Sequence, residues 1–210
     1  MYLEHESLKG SNPYSGSKVA KEHLIFSFAK SFLNKKNIVI VRSGNVIGGG
    51  DWNSSRLIPD MINSFQKNKK FLVRNFNHTR PWQHIYDVLN AYMKIVKKIH
   101  NKKSYYDNFN VSFHNSNQKT VREIINIIKM NKLFKNVRIS NVKVNKYKED
   151  KFLNISNSKM KKFINIKSKF KNIDEGVKNT LDWYSTYLKS SDKIESYSKK
   201  EIKLFFNKQS

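Results

Sequence analysis

The feature that most constrains this chain is the switching of its hydrophobic period between helix and strand. After Pro13, residues 14–33 carry Val19, Ala20, Leu24, Ile25, Phe28, Ala29 and Phe32 at spacings that set them along one face of a helix. Residues 37–42 then form an apolar, β-branched run, which reads as a buried parallel strand ended by a Gly-rich turn. Helical spacing returns at 57–67, 85–99, 120–131, 158–164 and 174–188, with short strand-like runs at 71–74, 108–112 and 137–144. No repeat and no long linker interrupts the alternation, so the sequence predicts an α/β or α+β architecture. Beyond Ser190 the chain turns polar and Lys-rich, and a frayed tail is the expectation, with 202–206 able to dock locally.

A chain of 210 residues with 13% aromatic content has enough apolar surface to build a core. Cysteine is absent, which excludes disulfides, zinc–thiolate sites and thiol chemistry. The longest apolar runs are far shorter than the roughly 20 residues that a spanning helix needs, and no secretory segment opens the sequence. A soluble, cytoplasmic protein with no membrane partner is expected. The formal net charge is +25, yet only Arg42, Arg56, Arg74, Arg80, Arg122 and Arg138 are arginine; the other basic residues are lysines spread along the chain. Nucleic-acid readers concentrate their charge on one element and use arginine for bidentate contacts, so the composition argues against a nucleic-acid partner.

Two residues at the start of the first helix can carry chemistry. Tyr14 and Lys18 are four apart and share a helix face, within reach of one ligand. The spacing alone is weak, since a second pair occurs at Tyr147 and Lys151 and a solvated helix face accounts for either. The order of elements distinguishes the first pair: it opens a helix leading into a parallel-type strand, and that strand ends in Arg42-Ser43-Gly44-Asn45-Val46-Ile47-Gly48-Gly49-Gly50-Asp51-Trp52. The triglycine lacks the Lys-Ser or Lys-Thr of a phosphate-binding loop and reads as a turn. His78 and His84 have no clustered carboxylate or third histidine, so no metal is assigned.

Pro13-Tyr14-Ser15-Gly16-Ser17-Lys18 and the strand after it resemble the active-site helix of extended short-chain dehydrogenases. The run from Gly44 to Trp52 narrows the resemblance to the carboxyl-terminal part of a CDP-glucose 4,6-dehydratase. Arg56-Leu57-Ile58-Pro59-Asp60, His78-Thr79-Arg80-Pro81-Trp82-Gln83-His84, Leu153-Asn154-Ile155-Ser156 and Leu181-Asp182-Trp183-Tyr184 continue it to about position 188. Asn110-Val111-Ser112-Phe113 departs from the Asn-Phe-Gly-Pro turn expected there.

The fold implied is the carboxyl-terminal portion of a Rossmann-type doubly wound parallel sheet plus a smaller α+β substrate-binding domain. Residues 1–50 would be the remnant of the NAD-binding domain, 51–189 mainly the nucleotide-sugar-binding domain with interleaved sheet elements, and 190–210 a polar tail. The resemblance implies that Tyr14 removes the proton of the sugar 4-hydroxyl, that Lys18 favours the phenolate and bonds the nicotinamide ribose, that Asn45 faces the substrate, and that Arg56 and Arg80 hold the nucleotide diphosphate. It also implies NAD as cofactor, CDP-glucose as substrate and a homodimer built on the active-site helix.

All seven glycines lie at positions 10, 16, 44, 48, 49, 50 and 176, so no Gly-x-x-Gly-x-x-Gly turn is available to seat a dinucleotide pyrophosphate. The resemblance places that turn, the Ser or Thr that orients the tyrosine and the acidic pair for C5 and C6 upstream of Met1. A partner supplying this amino-terminal Rossmann segment is therefore expected, and the chain alone is expected to be inactive and unstable. A related nucleotide-sugar epimerase or decarboxylase, and a non-catalytic basic binding module, are the competing readings.

Overall fold

The computed structural model describes residues 1–113, 118–142 and 150–207. Tyr147 and the end of the strand expected at 137–144 lie outside the described residues.

Seven α-helices and seven strands alternate through the described chain. Helix α1 (Pro13–Ser31) starts on a reciprocal capping box: Asn12 accepts the Ser15 N–H, and the Ser15 hydroxyl oxygen accepts the Asn12 N–H. Pro13 at the first helical position fits because its missing N–H would have had no helical partner. Strands β1 (Ile38–Ser43) and β5 (Tyr106–Val111) pair in parallel, Ile38 opposite Tyr106 and Ser43 opposite Val111. Helices α3 (Ile85–Ile99) and α5 (Ser158–Ile164) cover this pair, and Val88, Ala91, Ile95, Phe109, Val111 and Met160 form its core.

A second core lies among α2 (Leu57–Gln66), α4 (Val121–Lys129) and α6 (Ile173–Lys189), with Met61, Ile62, Ile124, Ile128, Val177, Leu181 and Tyr184 almost wholly buried. Strands β3 (Phe71–Arg74) and β7 (Ile139–Val142) pair in parallel beside it. Between the two cores runs a three-stranded sheet in the order β2 (Asn45–Ile47), β4 (Thr79–His84), β6 (Gln118–Thr120). The parallel pairs joined through helices confirm the α/β class.

Several expectations are corrected. The segment 45–47, read as part of a Gly-rich turn, is strand β2, and 79–84, with no periodic signal, is the central strand β4. Pro81 is tolerated in a central strand because the partners divide there. Strand β6 pairs with Thr79, Arg80 and Pro81, and β2 with Trp82, Gln83 and His84.

Strand β1 is half-buried along its whole length rather than buried, since among the described strands it has one neighbour. The apolar side chains of α1 do not form a buried face. Ala29 alone is buried, while Leu24, Phe26, Phe28 and Phe32 are exposed. What holds α1 to the sheet is a bidentate Arg42–Glu22 ion pair and an edge-on contact between Phe26 and Tyr106.

The tail expected to fray is a short 3-10 turn (Ser191–Lys193) followed by helix α7 (Ile194–Asn207). Phe205 buries itself against Tyr86 and Phe170, and Ser198 accepts the Trp183 indole N–H. Few apolar residues in a lysine-rich stretch were enough to dock a helix, because Ile194, Tyr197 and Phe205 fall on one side while Ile202 and Leu204 stay exposed.

Candidate active site

A cleft of about 980 Å³ opens beside the second core. Its walls come from the start of α1 (Asn12, Tyr14), strand β2 with Gly44 before it, the turn into α2, strand β3, and the start of β4. Four of the five site residues expected from sequence line this one cleft: Tyr14, Asn45, Arg56 and Arg80. Lys18 stands one helical turn further along α1, its ammonium 5.2 Å from the centroid of the Tyr14 ring. Tyr14 is 73% exposed, so its hydroxyl is accessible from the cleft mouth.

The Gly-rich run makes the wall of the cleft by close packing. A side chain at Gly49 would stand 2.1 Å from Cγ of Trp183, and Gly50 adopts a left-handed φ of 81° that other residues resist. Tyr184, two-thirds of the way along α6, donates its hydroxyl to the Asp51 carbonyl. Trp52 then lies across Trp183, Tyr184 and Tyr187. Helix α6 thereby fixes the loop, and the loop fixes Arg56: Asp51 Oδ2 accepts from Arg56 Nη1 at 2.7 Å. Burial pushes the Asp51 carboxyl up, but hydrogen bonds from Asn53 and Arg56 outweigh it and hold it below the ordinary range. Ser55, left-handed at φ 65°, donates its N–H to Asp60 and sets the angle at which Arg56 leaves the turn.

Arg80 is held differently. Its Nη1 donates to the carbonyls of Thr79 and Asp150, and Nη2 meets His78 Nδ1. Trp82 is core: it is buried and donates its indole N–H to the Lys119 carbonyl while one edge lines the cleft. His84 is a buried helix cap whose Nδ1 accepts the Tyr86 N–H, and burial drives its pKa down to about 3, with Asn179 pulling weakly the other way. No cluster of metal-ligating side chains occurs among the described residues.

The charge pattern of the cleft is informative. Its described lining contains Arg56, Arg74 and Arg80 and no lysine, in a chain where lysines far outnumber the six arginines. A guanidinium is the group whose planar fork matches phosphate oxygens in pairs; an ammonium on a flexible stem does not. The anchoring of Asp51 by Tyr184 was not legible as a site feature. The one signal for it was that the Gly-Gly-Gly-Asp-Trp and Leu-Asp-Trp-Tyr runs occur in the same chain.

Parallel strands joined by helices, with a Tyr–Lys pair at the mouth of an arginine-lined cleft, define an enzyme-like α/β fold of the Rossmann type. The NAD dependent epimerase/dehydratase family matches residues 2–112, more than half of the chain, and the chain belongs to that family. It is 36% identical over 132 residues to the CDP-glucose 4,6-dehydratase of Salmonella typhimurium, a match covering 59% of this chain and 37% of that protein. It is 34% identical over 125 residues to the dTDP-D-glucose 4,6-dehydratase of Dictyostelium discoideum, covering 59% of this chain and 28% of the relative. The chain thus spans well under half the length of the curated relatives it matches.

Among solved structures, the dTDP-glucose 4,6-dehydratase of Bacillus anthracis in complex with NAD superposes with a TM-score of 0.69 at 22% identity, over 91% of this chain and 57% of that one. MoeE5 in complex with UDP-glucose and NAD gives 0.73 at 16% identity, over 89% and 60%. At these identities the structural likeness establishes the fold.

Proposed function

We propose that this chain provides the Tyr–Lys pair and the substrate-holding cleft of a nucleotide-sugar 4,6-dehydratase acting on CDP-glucose. The observation that carries the reading is the convergence of Tyr14, Asn45, Arg56 and Arg80 on one cleft whose described cations are all arginine. The identity to a CDP-glucose 4,6-dehydratase supports the choice of nucleotide.

An ordinary tyrosine titrates near pH ~10, so a base at neutral pH needs a positive charge beside it. The Lys18 ammonium stands on the same helix face as Tyr14, 5.2 Å from the centroid of its ring. Tyr14 takes the proton of the sugar 4-hydroxyl as C4 is oxidised, Asn45 orients the sugar, and Arg56 and Arg80 lie on the side of the nucleotide diphosphate. The chemistry supplied by bound NAD is acceptance of the C4 hydride and its return to C6 after water leaves across C5 and C6. The exposed edges of Tyr14 and Lys18 suit the nicotinamide ribose, and the glycines of this chain offer no pyrophosphate turn, so the residues present fit the ribose end of the cofactor. The product is a CDP-4-keto-6-deoxy sugar, a precursor of deoxysugars.

In solution the unit is a homodimer, built on the exposed apolar surface of α1.

The test is an assay of the natural polypeptide with CDP-glucose, dTDP-glucose and UDP-glucose, following the 4-keto-6-deoxy product. CDP-glucose turnover that Tyr14→Phe abolishes supports the reading. Formation of a 4-epimer without loss of water would instead assign the cleft to an epimerase.

A further inference from the structure

A second concavity, of about 470 Å³, opens at the loop between α5 and α6 and shares no lining residue with the cleft. Its described lining carries four lysines, Lys161, Lys167, Lys169 and Lys171, and neither a carboxylate nor an arginine. The cleft has the opposite makeup, with three arginines beside Asp51, Asp60 and Asp150. The apolar part of the pocket wall is Phe113, Ile166 and Phe170, the first two almost wholly buried.

The loop that carries these lysines is held in place by bonds of its own. It leaves α5 through Asn165, left-handed at φ 42°. Beneath it the buried Asp87 of α3 accepts the Ser168 hydroxyl on one carboxylate oxygen and the Lys169 N–H on the other. The Ser168 oxygen accepts the Phe170 N–H, and Glu175 accepts the Lys171 N–H. The carboxylates beside the loop thus bind its backbone, and neither enters the pocket lining. The Lys169 ammonium donates to the Phe205 carbonyl and stands 4.6 Å from the centroid of the Phe205 ring. Lys161, Lys167 and Lys171 are exposed. Four ammonium groups around one pocket repel one another, and a bound anion relieves that repulsion.

We propose that this pocket binds an organic phosphate monoester, its phosphate among the lysines and its apolar or aromatic body against Phe113 and Phe170. Such a phosphate carries nearly two negative charges at neutral pH, and lysine binds phosphate as a point charge without needing a fork geometry. Inorganic phosphate answers the charge and leaves the apolar wall in water; a neutral aromatic alcohol does the reverse. The pocket therefore favours a ligand with both parts. The site is independent of the nucleotide-sugar reading of the cleft.

Calorimetric titration of the full chain with phenyl phosphate, inorganic phosphate and phenol at low salt tests it. Phenyl phosphate is expected to bind about tenfold or more tightly than either, with affinity falling as salt rises. Lys167→Glu combined with Lys171→Glu is expected to weaken phenyl phosphate by about tenfold or more. Both positions are exposed, so the circular dichroism should match the parent. Lys35→Glu combined with Lys36→Glu makes the same change of net charge at exposed positions outside the pocket and should leave binding as it was. Equal weakening in the two double variants would reduce the effect to overall charge and overturn the proposal. Phenyl phosphate binding that the pocket variant leaves intact would also overturn it, by placing the ligand elsewhere, as in the arginine-lined cleft. Equal affinity for phenyl phosphate and inorganic phosphate would overturn it too, since the apolar wall would then take no part.

Discussion

The hydroxyl of Tyr184 reaches the backbone carbonyl of Asp51 at 2.5 Å, joining helix α6 to the loop whose carboxylate holds Arg56. The two residues are 133 positions apart, and the bond is made from a tyrosine whose ring is fully buried. Burial and the nearby Asp51 carboxylate both push the Tyr184 hydroxyl above the ordinary tyrosine range, so it stays a donor at any pH the fold tolerates. Tyr184→Phe keeps the ring and removes the donor, leaving the Asp51 carbonyl without this bond. The expected loss is about 1–2 kcal/mol of unfolding free energy. Urea titration checks it, and an unchanged midpoint would show that the loop finds another partner.

Gly49 and Gly16 are expected to respond oppositely to alanine. A Cβ at Gly49 meets three atoms of Trp183 within 2.6 Å, and Trp183 is pinned by Ser198, Trp52 and Tyr187. Gly49→Ala therefore forces the loop off α6 and costs roughly 1–3 kcal/mol, as overpacking does. Nothing lies within 4 Å of a Cβ at Gly16, inside α1. Gly16→Ala is expected to add about 0.5–1 kcal/mol through helix propensity. Thermal unfolding of the two variants beside the parent gives the sign of each shift.

Helices α1 to α6 and the strands β1, β3 and β5 were legible because each carries its own local signal, a 3.6-residue period or a β-branched run; α7, in a polar and lysine-rich stretch, was not. Helix α5 was read to the residue, and α2 and α6 within one or two. Strands β2, β4 and β6 were not legible, because none carries such a signal. They are strands by virtue of pairing with each other, and Gln83 reaching the Val111 carbonyl is the kind of contact no local pattern announces. That Tyr14, Asn45, Arg56 and Arg80 should meet at one site was what the family resemblance implied, and all four line one cleft. The Asp51–Arg56 pair did not, since an arginine expected to face a ligand looks the same in sequence whether or not a carboxylate already holds it.

Low pH is expected to weaken the fold through His84. Its folded pKa is about 3 and its unfolded value 6.5, so between these limits the unfolded chain binds a proton that the folded chain refuses. Stability is unaffected by this group above pH ~7 and falls as pH drops below about 6.5, by roughly 1.4 kcal/mol per pH unit. Carboxylates begin to contribute below about pH 5, so the window from pH 6.5 to 5 isolates the histidine. His84→Asn keeps a side-chain oxygen to accept the Tyr86 N–H and removes the titration. The variant is less stable than the parent at pH 7 and loses less stability on going to pH 5. Parallel curves for the two proteins would show that His84 is solvated in a way its burial does not suggest.

Association through α1 and α3 makes the last prediction. Leu89, Met93 and Val96 are exposed on α3 at spacings of four and three, on the side away from the buried Val88, Ala91 and Ile95. Leu24, Phe28 and Phe32 are exposed at spacings of four on α1, with the rings of Phe28 and Phe32 in contact 5.6 Å apart. Apolar stripes of this kind on two helices are surfaces that a partner can cover. A second copy laying the same two helices against them closes the surface with two-fold symmetry, each stripe meeting its equivalent. Light scattering of the chain should then give twice the monomer mass, and Phe28→Lys combined with Met93→Lys should give the monomer. Because both positions are already exposed, the double variant should keep the parent's circular dichroism and gain solubility. A parent that is monomeric at high concentration would leave these stripes without a partner among its own copies and would end the dimer proposal.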